Sequence, residues 1–138
     1  GDRVMQFENR KTRKTYVARA WGNIAEDSGH IDLPLIVDWP VKPRQKVCFE
    51  TGKPSQTDWL VLDREPNATR VRLHPRTGRT HQLRVHLMAI GHPILGDRFY
   101  ANDEALVAAD RLQLHAEELV LRHPNGGAEM VFCSEVPF

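Results

Sequence analysis

The chain has 138 residues, enough for one domain of ordinary size with its own core and too few for two. Hydrophobic residues make up 41% and charged residues 27% of it, and no apolar run approaches the ~20 residues that a membrane-crossing helix needs. These values exclude a membrane-spanning, a collagen-like and a wholly disordered protein. The two cysteines, Cys48 and Cys133, and an opening without a secretory signal predict a reducing, cytoplasmic setting.

The net charge of +1 conceals an uneven distribution along the chain. Residues 1–22 hold six basic and two acidic side chains, and residues 40–86 hold ten basic and four acidic ones. The remaining residues hold three basic and twelve acidic side chains. This segregation favours a basic surface that binds a polyanion. The alternative is that the charge runs are only solvated faces, because the sequence does not show whether the two basic segments meet.

The first half of the chain is predicted to be rich in strands. Residues 3–10 resemble the tail of a helix, because Val4, Met5 and Phe7 fall within one turn and no convincing cap precedes them. Runs of β-branched and aromatic residues, separated by Gly and Pro, then predict strands at residues 14–21, 44–50, 57–63 and 69–74.

The second half is predicted to hold the main helix. Leu83, Leu87 and Ile90 recur at helical spacing, the helix starts near residues 78–80, and Gly91 is placed for a left-handed cap. A short helix is predicted at 103–109, followed by strands at 119–123 and 130–133 around an Asn-Gly-Gly turn at 125–127. The prediction is a single α+β domain over residues 1–138 with a mixed, mostly antiparallel sheet.

The segment from residue 76 to residue 86 is the densest in polar and basic side chains. A turn containing Gly78, followed by a helix start, presents unpaired backbone N–H groups beside Arg79. Arg84 lies one turn beyond Thr80 and can project next to the same place. The segment therefore favours a phosphate site; the alternative is an ordinary basic helix start whose polar side chains are already satisfied.

Neither a metal site nor a nucleophilic triad is favoured by the sequence. His81 and His86 are five residues apart, ~140° around a helix, and cannot easily share one ligand face. The sequence has no His-Glu-x-x-His, no paired-cysteine motif and no Gly-x-Ser-x-Gly. We interpret the histidines as turn, cap or core residues.

The aromatic residues allow two interpretations. Tyr16 lies close to Lys14 and Arg19 in the first predicted strand. It can be an ordinary half-buried strand residue, or an aromatic face that stacks an unpaired base among cations. The three tryptophans are predicted to be core residues: Trp21, Trp39 and Trp59.

Five motifs in a fixed order resemble the pseudouridine synthases of the RluA type. They are Lys-Thr-Tyr-Val-Ala at 14–18, Leu-Pro-Leu at 33–35, Thr-Gly-Arg-Thr-His-Gln-Leu-Arg-Val-His-Leu at 77–87, Gly-His-Pro-Ile-Leu-Gly-Asp-Arg-Phe-Tyr at 91–100 and Leu-His-Ala at 114–116. Residues 38–54 are similar to the RluA subgroup itself, whose members act on 23S ribosomal RNA and tRNA. The resemblance covers almost the whole chain.

The resemblance implies a cofactor-free isomerisation of a uridine flipped out of RNA. By matching position, Tyr16 packs against the target base and Arg84 forms an ion pair with the catalytic aspartate. Leu114 helps to line the apolar floor. Arg79, with Thr80 and His81 beside it, is expected on the substrate-binding side, where RNA phosphates are held. The implied partner is RNA rather than a membrane, and a monomer is the default expectation.

The Arg-Leu-Asp motif that carries the family's catalytic aspartate does not occur in this sequence. Asp63 and Asp110 stand in other residue orders, and Asp97 belongs to a different motif, in which it is expected to cap or brace a turn. We therefore expect the chain to be the C-terminal portion of a longer protein, inactive by itself, with Arg84 lacking its carboxylate partner at a cost in free energy.

Two other functions are considered beside the enzyme. One is an RNA-binding module with no chemistry of its own. The other is a small-molecule phosphoesterase that uses the Thr-Gly-Arg turn, which is disfavoured because the sequence offers neither metal ligands nor a nucleophile.

Overall fold

The computed structural model describes residues 12–122, 129–133 and 136–138. In these ranges the elements in chain order are β1 (Thr12–Trp21), β2 (Ser28–Asp32), β3 (Leu35–Val37), β4 (Gln45–Val47), β5 (Gln56–Arg64), β6 (Ala68–Pro75), α1 (Gln82–Ala89), α2 (Asp103–Val107), β7 (Leu114–Arg122) and β8 (Glu129–Cys133). The predicted helix at 3–10 and the predicted turn at 125–127 lie outside the described residues.

Six strands form one sheet in the order β2-β5-β6-β1-β7-β8, and each neighbouring pair is antiparallel. The short strands β3 and β4 form a separate antiparallel pair. The predicted α+β class with a mostly antiparallel sheet is thus confirmed. Since β1 pairs with β6, with Arg19 opposite Arg70, the two basic segments of the sequence are adjacent in the fold.

Helix α1 is buried on two sides, and this fixes its position over the sheet. Leu83 and Leu87 belong to a core cluster that includes Val71 and Leu73 of β6. On another side, Val85 packs in a cluster with Leu35 and Tyr100. Full burial of side chains of this kind stabilises a fold by about 1.5–3 kcal/mol each, so packing rather than helix propensity holds these eight residues helical.

The predicted end of α1 is confirmed and its predicted start is wrong. Gly91 has φ +90° and its N–H donates to the carbonyl of Met88, as expected of a left-handed cap. The helix begins at Gln82 rather than near residues 78–80, because His81 takes a left-handed φ of 55° that interrupts the helical backbone.

The predicted and observed strands differ at β2, β3, β4 and β7. Strand β2 was not predicted because Ser28, Gly29 and His30 are poor strand formers. A Cβ atom at Gly29 would lie 2.4 Å from the ring of Trp59, so glycine is what lets β2 pack there. Strand β3 was also not predicted, β4 is shorter than the predicted 44–50, and β7 begins at Leu114 rather than at residue 119.

The core prediction for Trp39 is wrong. Trp59 is buried and Trp21 half-buried, whereas Trp39 is 63% exposed, with the Lys42 ammonium group 4.3 Å from its ring centroid. It follows the short strand β3, at a place where the described residues form no second layer over the ring. In the described part of the chain, no helix is long and apolar enough to cross a membrane.

Candidate nucleic-acid interface

A cavity of about 340 Å³ opens between the sheet and the start of α1. It is lined by Lys14, Tyr16, Pro75, Thr77, Gly78, Arg79, His81, Gln82, Leu83, Arg84, Leu112 and Leu114. The structure thus brings together Tyr16, Arg79, His81, Arg84 and Leu114 of the predicted site residues. Thr80 is exposed and does not line the cavity.

The strand side of the cavity is formed by β1 and by the start of β7. The register between these strands shifts between Thr15 and Tyr16, so an irregularity of the bulge type lies at the tyrosine. Bulges of this kind re-aim a side chain and are common beside functional sites. Leu83, Leu112 and Leu114 supply an apolar surface near the Tyr16 ring. A flat aromatic ring over an apolar floor is suited to a planar, unstacked base.

The turn before α1 is held in place by the buried amide of Gln82. Its Oε1 atom accepts from the Thr77 hydroxyl at 2.7 Å and from the Arg79 N–H at 3.1 Å. Its Nε2 atom donates to the Gln56 carbonyl at 2.8 Å and to the Thr57 hydroxyl at 2.9 Å. The Arg79 N–H is therefore already bonded and is not one of the unpaired N–H groups that the sequence led us to expect at this turn.

Two cations on the cavity wall have no ion-pair partner among the described residues. The Nε atom of Arg79 donates to the Pro54 carbonyl at 3.0 Å, which directs the side chain, and its terminal nitrogens have no partner in the described part of the chain. Within the described part of the chain, neither Arg79 nor Lys14 has a carboxylate at ion-pair distance.

Many cations of the basic runs are neutralised inside the fold. Carboxylates pair with Arg19, Arg44, Lys46, Arg64, Arg72, Arg76 and Arg84. Counting charges along the sequence therefore overstates the positive charge available to a polyanion. Among the described residues, Lys14 and Arg79 carry the positive charge that remains available at the cavity.

Arg84 is paired, which overturns the expectation that it lacks a carboxylate partner. Its Nε and Nη2 atoms donate to the two carboxylate oxygens of Asp97, at 3.0 and 2.7 Å. Asp97 has no exposed surface and the Arg84 side chain is only 17% exposed. The guanidinium also lies 5.5 Å from the Phe99 ring centroid and 5.3 Å from that of Tyr100. A bidentate pair flanked by two rings holds the guanidinium in one orientation.

Asp97 also braces the turn that it belongs to, as predicted. Its Oδ1 atom accepts from the backbone N–H groups of Phe99 and Tyr100, at 3.0 and 3.3 Å. The sequence analysis did not predict the ion pair of Asp97 with Arg84. The two residues are thirteen positions apart, one in a helix and the other in a turn, and no local sequence pattern links them. The carboxylate thus fixes both the cation and the two rings beside it.

His81 is held by the hydroxyl of Tyr100. Its Nδ1 atom lies 2.6 Å from the Tyr100 hydroxyl oxygen, and this oxygen accepts a hydrogen bond from the Gln45 N–H at 2.9 Å. Burial, and after it the charge of Arg84, lowers the pKa of His81, while burial raises the pKa of Tyr100. Both groups are therefore neutral at physiological pH.

His86 is a core residue, as interpreted from the sequence. Its Nδ1 atom is 2.8 Å from the Thr57 hydroxyl and its Nε2 atom donates to the Leu33 carbonyl at 2.9 Å. Burial lowers the pKa of His86. Across the residues that the structure describes, no group of three His, Cys, Asp or Glu side chains could hold a metal ion.

A family model and individual relatives match the chain and point to the same kind of protein. A model of the RNA pseudouridylate synthase family matches residues 2–89. Over 134 residues, the chain is 58% identical to the dual-specificity RNA pseudouridine synthase RluA of Yersinia pestis and 55% identical to the protein of that name from Escherichia coli K12. Each match covers 96% of this chain but only 65% and 61% of the relative, so the chain spans less than two thirds of their length.

The fold has a counterpart among solved structures. Human RNA pseudouridylate synthase domain containing 1 superposes with a TM-score of 0.86 at 32% identity. The superposition covers 100% of this chain and 60% of the human one.

Proposed function

Because the chain belongs to the RNA pseudouridylate synthase family, we propose that it supplies the base-binding cavity of an enzyme that converts uridine in RNA to pseudouridine. One observation carries the proposal: the Tyr16 ring, an apolar floor and the anchored Arg84 guanidinium line a single cavity. In this reaction the bond from ribose C1′ to uracil N1 breaks and a bond from C1′ to C5 forms. The C5 hydrogen leaves, and N1 gains a proton.

Four of the cavity residues have the following roles in this proposal. Tyr16 stacks on the flipped base and Leu114 contributes to the floor beneath it, in an environment that excludes water. Lys14 and Arg79 bind phosphates of the flanking nucleotides, because their charges have no carboxylate partner in the described structure. The substrate class is 23S ribosomal RNA and tRNA, supported by the motif resemblance and by relatives named as dual-specificity enzymes. We also propose that the protein acts in a reducing, cytoplasmic setting.

No Asp or Glu is among the described residues that line the cavity, so in this proposal another segment supplies the nucleophilic carboxylate. Asp97 is unsuited, because it is fully buried and its oxygens already accept four hydrogen bonds, from Arg84, Phe99 and Tyr100. Asp63 lies on β5 and does not line the cavity. Arg84 pairs with Asp97 through Nε and Nη2, so Nη1 remains for a second carboxylate. We propose that Arg84 bridges Asp97 and the nucleophile.

Release of tritium from RNA labelled at uridine C5 tests the enzymatic proposal. We expect no release by the 138-residue chain and turnover by a version extended upstream with a segment that contains Arg-Leu-Asp. The matched control is the same extended protein carrying Arg84→Met, which we expect to bind the RNA but to release little tritium. Tritium release by the 138-residue chain would contradict the assignment of the nucleophile to another segment.

A second candidate, an RNA-binding module without chemistry, is favoured by the free charges of Lys14 and Arg79. Both candidates predict binding whose affinity falls as salt rises. They differ in the extended protein: a binding module releases no tritium there, whereas the enzyme does.

A further inference from the structure

His81 occupies a strained backbone position that helix formation does not explain. It is the N-cap residue of α1, with φ 55° and ψ 19°, yet its side chain makes no capping hydrogen bond. It is the only non-glycine residue with positive φ in the described part of the chain. Strain of this kind persists where surrounding structure enforces it, and it clusters at ligand sites. Here it places an imidazole on the cavity wall.

The partner of His81 decides which ring nitrogen carries the hydrogen. The Tyr100 oxygen accepts the Gln45 N–H, and we assign its own O–H hydrogen to the 2.6 Å bond with Nδ1 of His81. When Nδ1 accepts, a neutral imidazole carries its hydrogen on Nε2. Tyr100 does not line the cavity, whereas His81 does. Nε2–H is consequently the polar group of this ring that remains for a ligand.

The other neutral polar side chains of the cavity cannot distinguish a hydrogen-bond acceptor from a donor. Thr77 donates to Gln82 and accepts from the Gln56 N–H at 3.1 Å, and the Gln82 amide is used on both sides. The Tyr16 hydroxyl can turn to donate or to accept, so it fits either partner. His81, with Nδ1 occupied, can only donate.

We propose that Nε2–H of His81 donates a hydrogen bond to the 4-carbonyl oxygen of the flipped uracil and thereby selects uracil over cytosine. The proposal rests on the proposed function, because it needs a pyrimidine in the cavity. Uracil presents an acceptor at position 4, where cytosine presents an amino group. A donor facing a donor leaves both unpaired, and a site built for one hydrogen bond rejects the analogue that cannot make it.

The tautomer is tested first, without RNA. Nitrogen-15 NMR of the 138-residue chain, with the His81 ring assigned by comparison with His81→Asn, reads which ring nitrogen is protonated. We expect the Nε2–H form in the wild type, and in Tyr100→Phe a shift toward the Nδ1–H form or a mixture of both. A wild-type Nδ1–H form, or a tautomer that Tyr100→Phe leaves unchanged, overturns the inference.

Selection is tested by binding to single-stranded RNAs of equal length: oligouridylate, oligocytidylate and an oligomer of the pyrimidin-2-one riboside, which lacks the 4-oxygen. We expect the wild type to prefer oligouridylate over both others by roughly ten-fold, as expected for a lost or mismatched hydrogen bond. Asn tolerates the left-handed backbone and its amide can turn either way. His81→Asn should therefore fold and bind all three with affinities within roughly two-fold of one another, with an unchanged salt dependence.

The exposed His30, which does not line the cavity, supplies the control variant His30→Phe, and the wild-type preference should survive in it. Equal preference in the wild type and His81→Asn overturns the inference and leaves the proposed function standing. So does equal binding of oligouridylate and the pyrimidin-2-one oligomer by the wild type. Absence of salt-dependent RNA binding by the wild type overturns the proposed function, and the inference with it.

Discussion

The two walls of the cavity differ in how far their polar groups are committed before a ligand arrives. On the helix wall, Arg84 is bound by Asp97, His81 by Tyr100, and the Gln82 amide by its neighbours. On the strand wall, which is formed by β1 and the start of β7, the side chains of Lys14 and Tyr16 have no hydrogen-bond partner among the described residues. The helix wall is a fixed hydrogen-bonded network, whereas the strand wall offers an aromatic ring and a positive charge to a ligand.

This difference indicates a division of labour. A network whose members are all bonded keeps its geometry without help from the ligand, which is what a reacting centre needs. The Tyr16 ring packs against the core on one side, and its exposed part gains contacts when a base arrives, so it contributes to affinity as well as to the fold. Changes on the helix wall should therefore cost stability, and changes on the strand wall should cost binding.

The largest expected effect is on the helix wall, at Asp97. Asp97→Asn leaves the buried Arg84 cation without a counter-charge, and breaking a buried ion pair in this way costs about 3–5 kcal/mol of unfolding free energy. Urea unfolding measures the loss. In the double variant Arg84→Met with Asp97→Asn, the loss should be smaller than the sum of the two single losses. Additive losses would show that the pair does not hold this wall.

On the strand wall, Tyr16→Ala should weaken RNA binding by about 1–3 kcal/mol, the usual contribution of a ring that stacks on a base. Tyr16→Phe keeps the ring and should retain most of the affinity. Trp39→Ala removes an exposed ring outside the cavity and serves as the matched control. Equal losses from Tyr16→Ala and Trp39→Ala, measured by fluorescence anisotropy, would contradict a specific stacking site.

A smaller effect, on the pH dependence of stability, is expected from the buried His86 and the half-buried His81. Burial lowers the pKa of both His81 and His86, so the unfolded chain takes up protons that the folded chain refuses. Their stabilisation is complete above the unfolded pKa of ~6.5 and is lost as the pH falls below it, by at most about 1.4 kcal/mol per pH unit for each histidine.

Urea unfolding between about pH 7.5 and pH 5 measures this slope above the range where carboxylates titrate. Glu65, whose pKa is lowered by the hydrogen bond from Arg19, contributes only at more acidic pH. His86→Gln should flatten the slope. A free energy of unfolding that does not change over this range would contradict the lowered pKa of both rings.

The sequence predicts the strand wall better than the helix wall, for a physical reason. Tyr16 lies in a strand that the local pattern predicts, and the Leu-His-Ala motif points to Leu114 even though the start of its strand was not predicted. The bonds of Arg84 to Asp97 and of His81 to Tyr100 join residues thirteen and nineteen apart, where residues 91–100 return to α1. No periodic pattern encodes such a return, because it depends on tertiary packing.

The same reason explains the errors in the fold. Trp39 is a residue type usually found in cores, but here the described residues leave its ring exposed. Strand β2 forms from poor strand formers because Gly29 accommodates the Trp59 ring. The main sheet and the end of α1 were predictable, since β-branched runs and Gly91 act locally. Tertiary context overrides local preference at the remaining places.

The smallest expected effect is at Arg79, which lies on the helix wall but carries a free charge like that of Lys14. Its only described side-chain bond uses Nε, so Arg79→Ala should leave the unfolding free energy nearly unchanged. It should weaken RNA binding and lower the slope of log affinity against log salt by about one, because one phosphate contact is lost. Arg98→Ala, another exposed arginine outside the cavity, is the control and should keep the wild-type slope. An unchanged slope in Arg79→Ala would mean that the phosphate-binding charge lies on the strand wall alone, with Lys14.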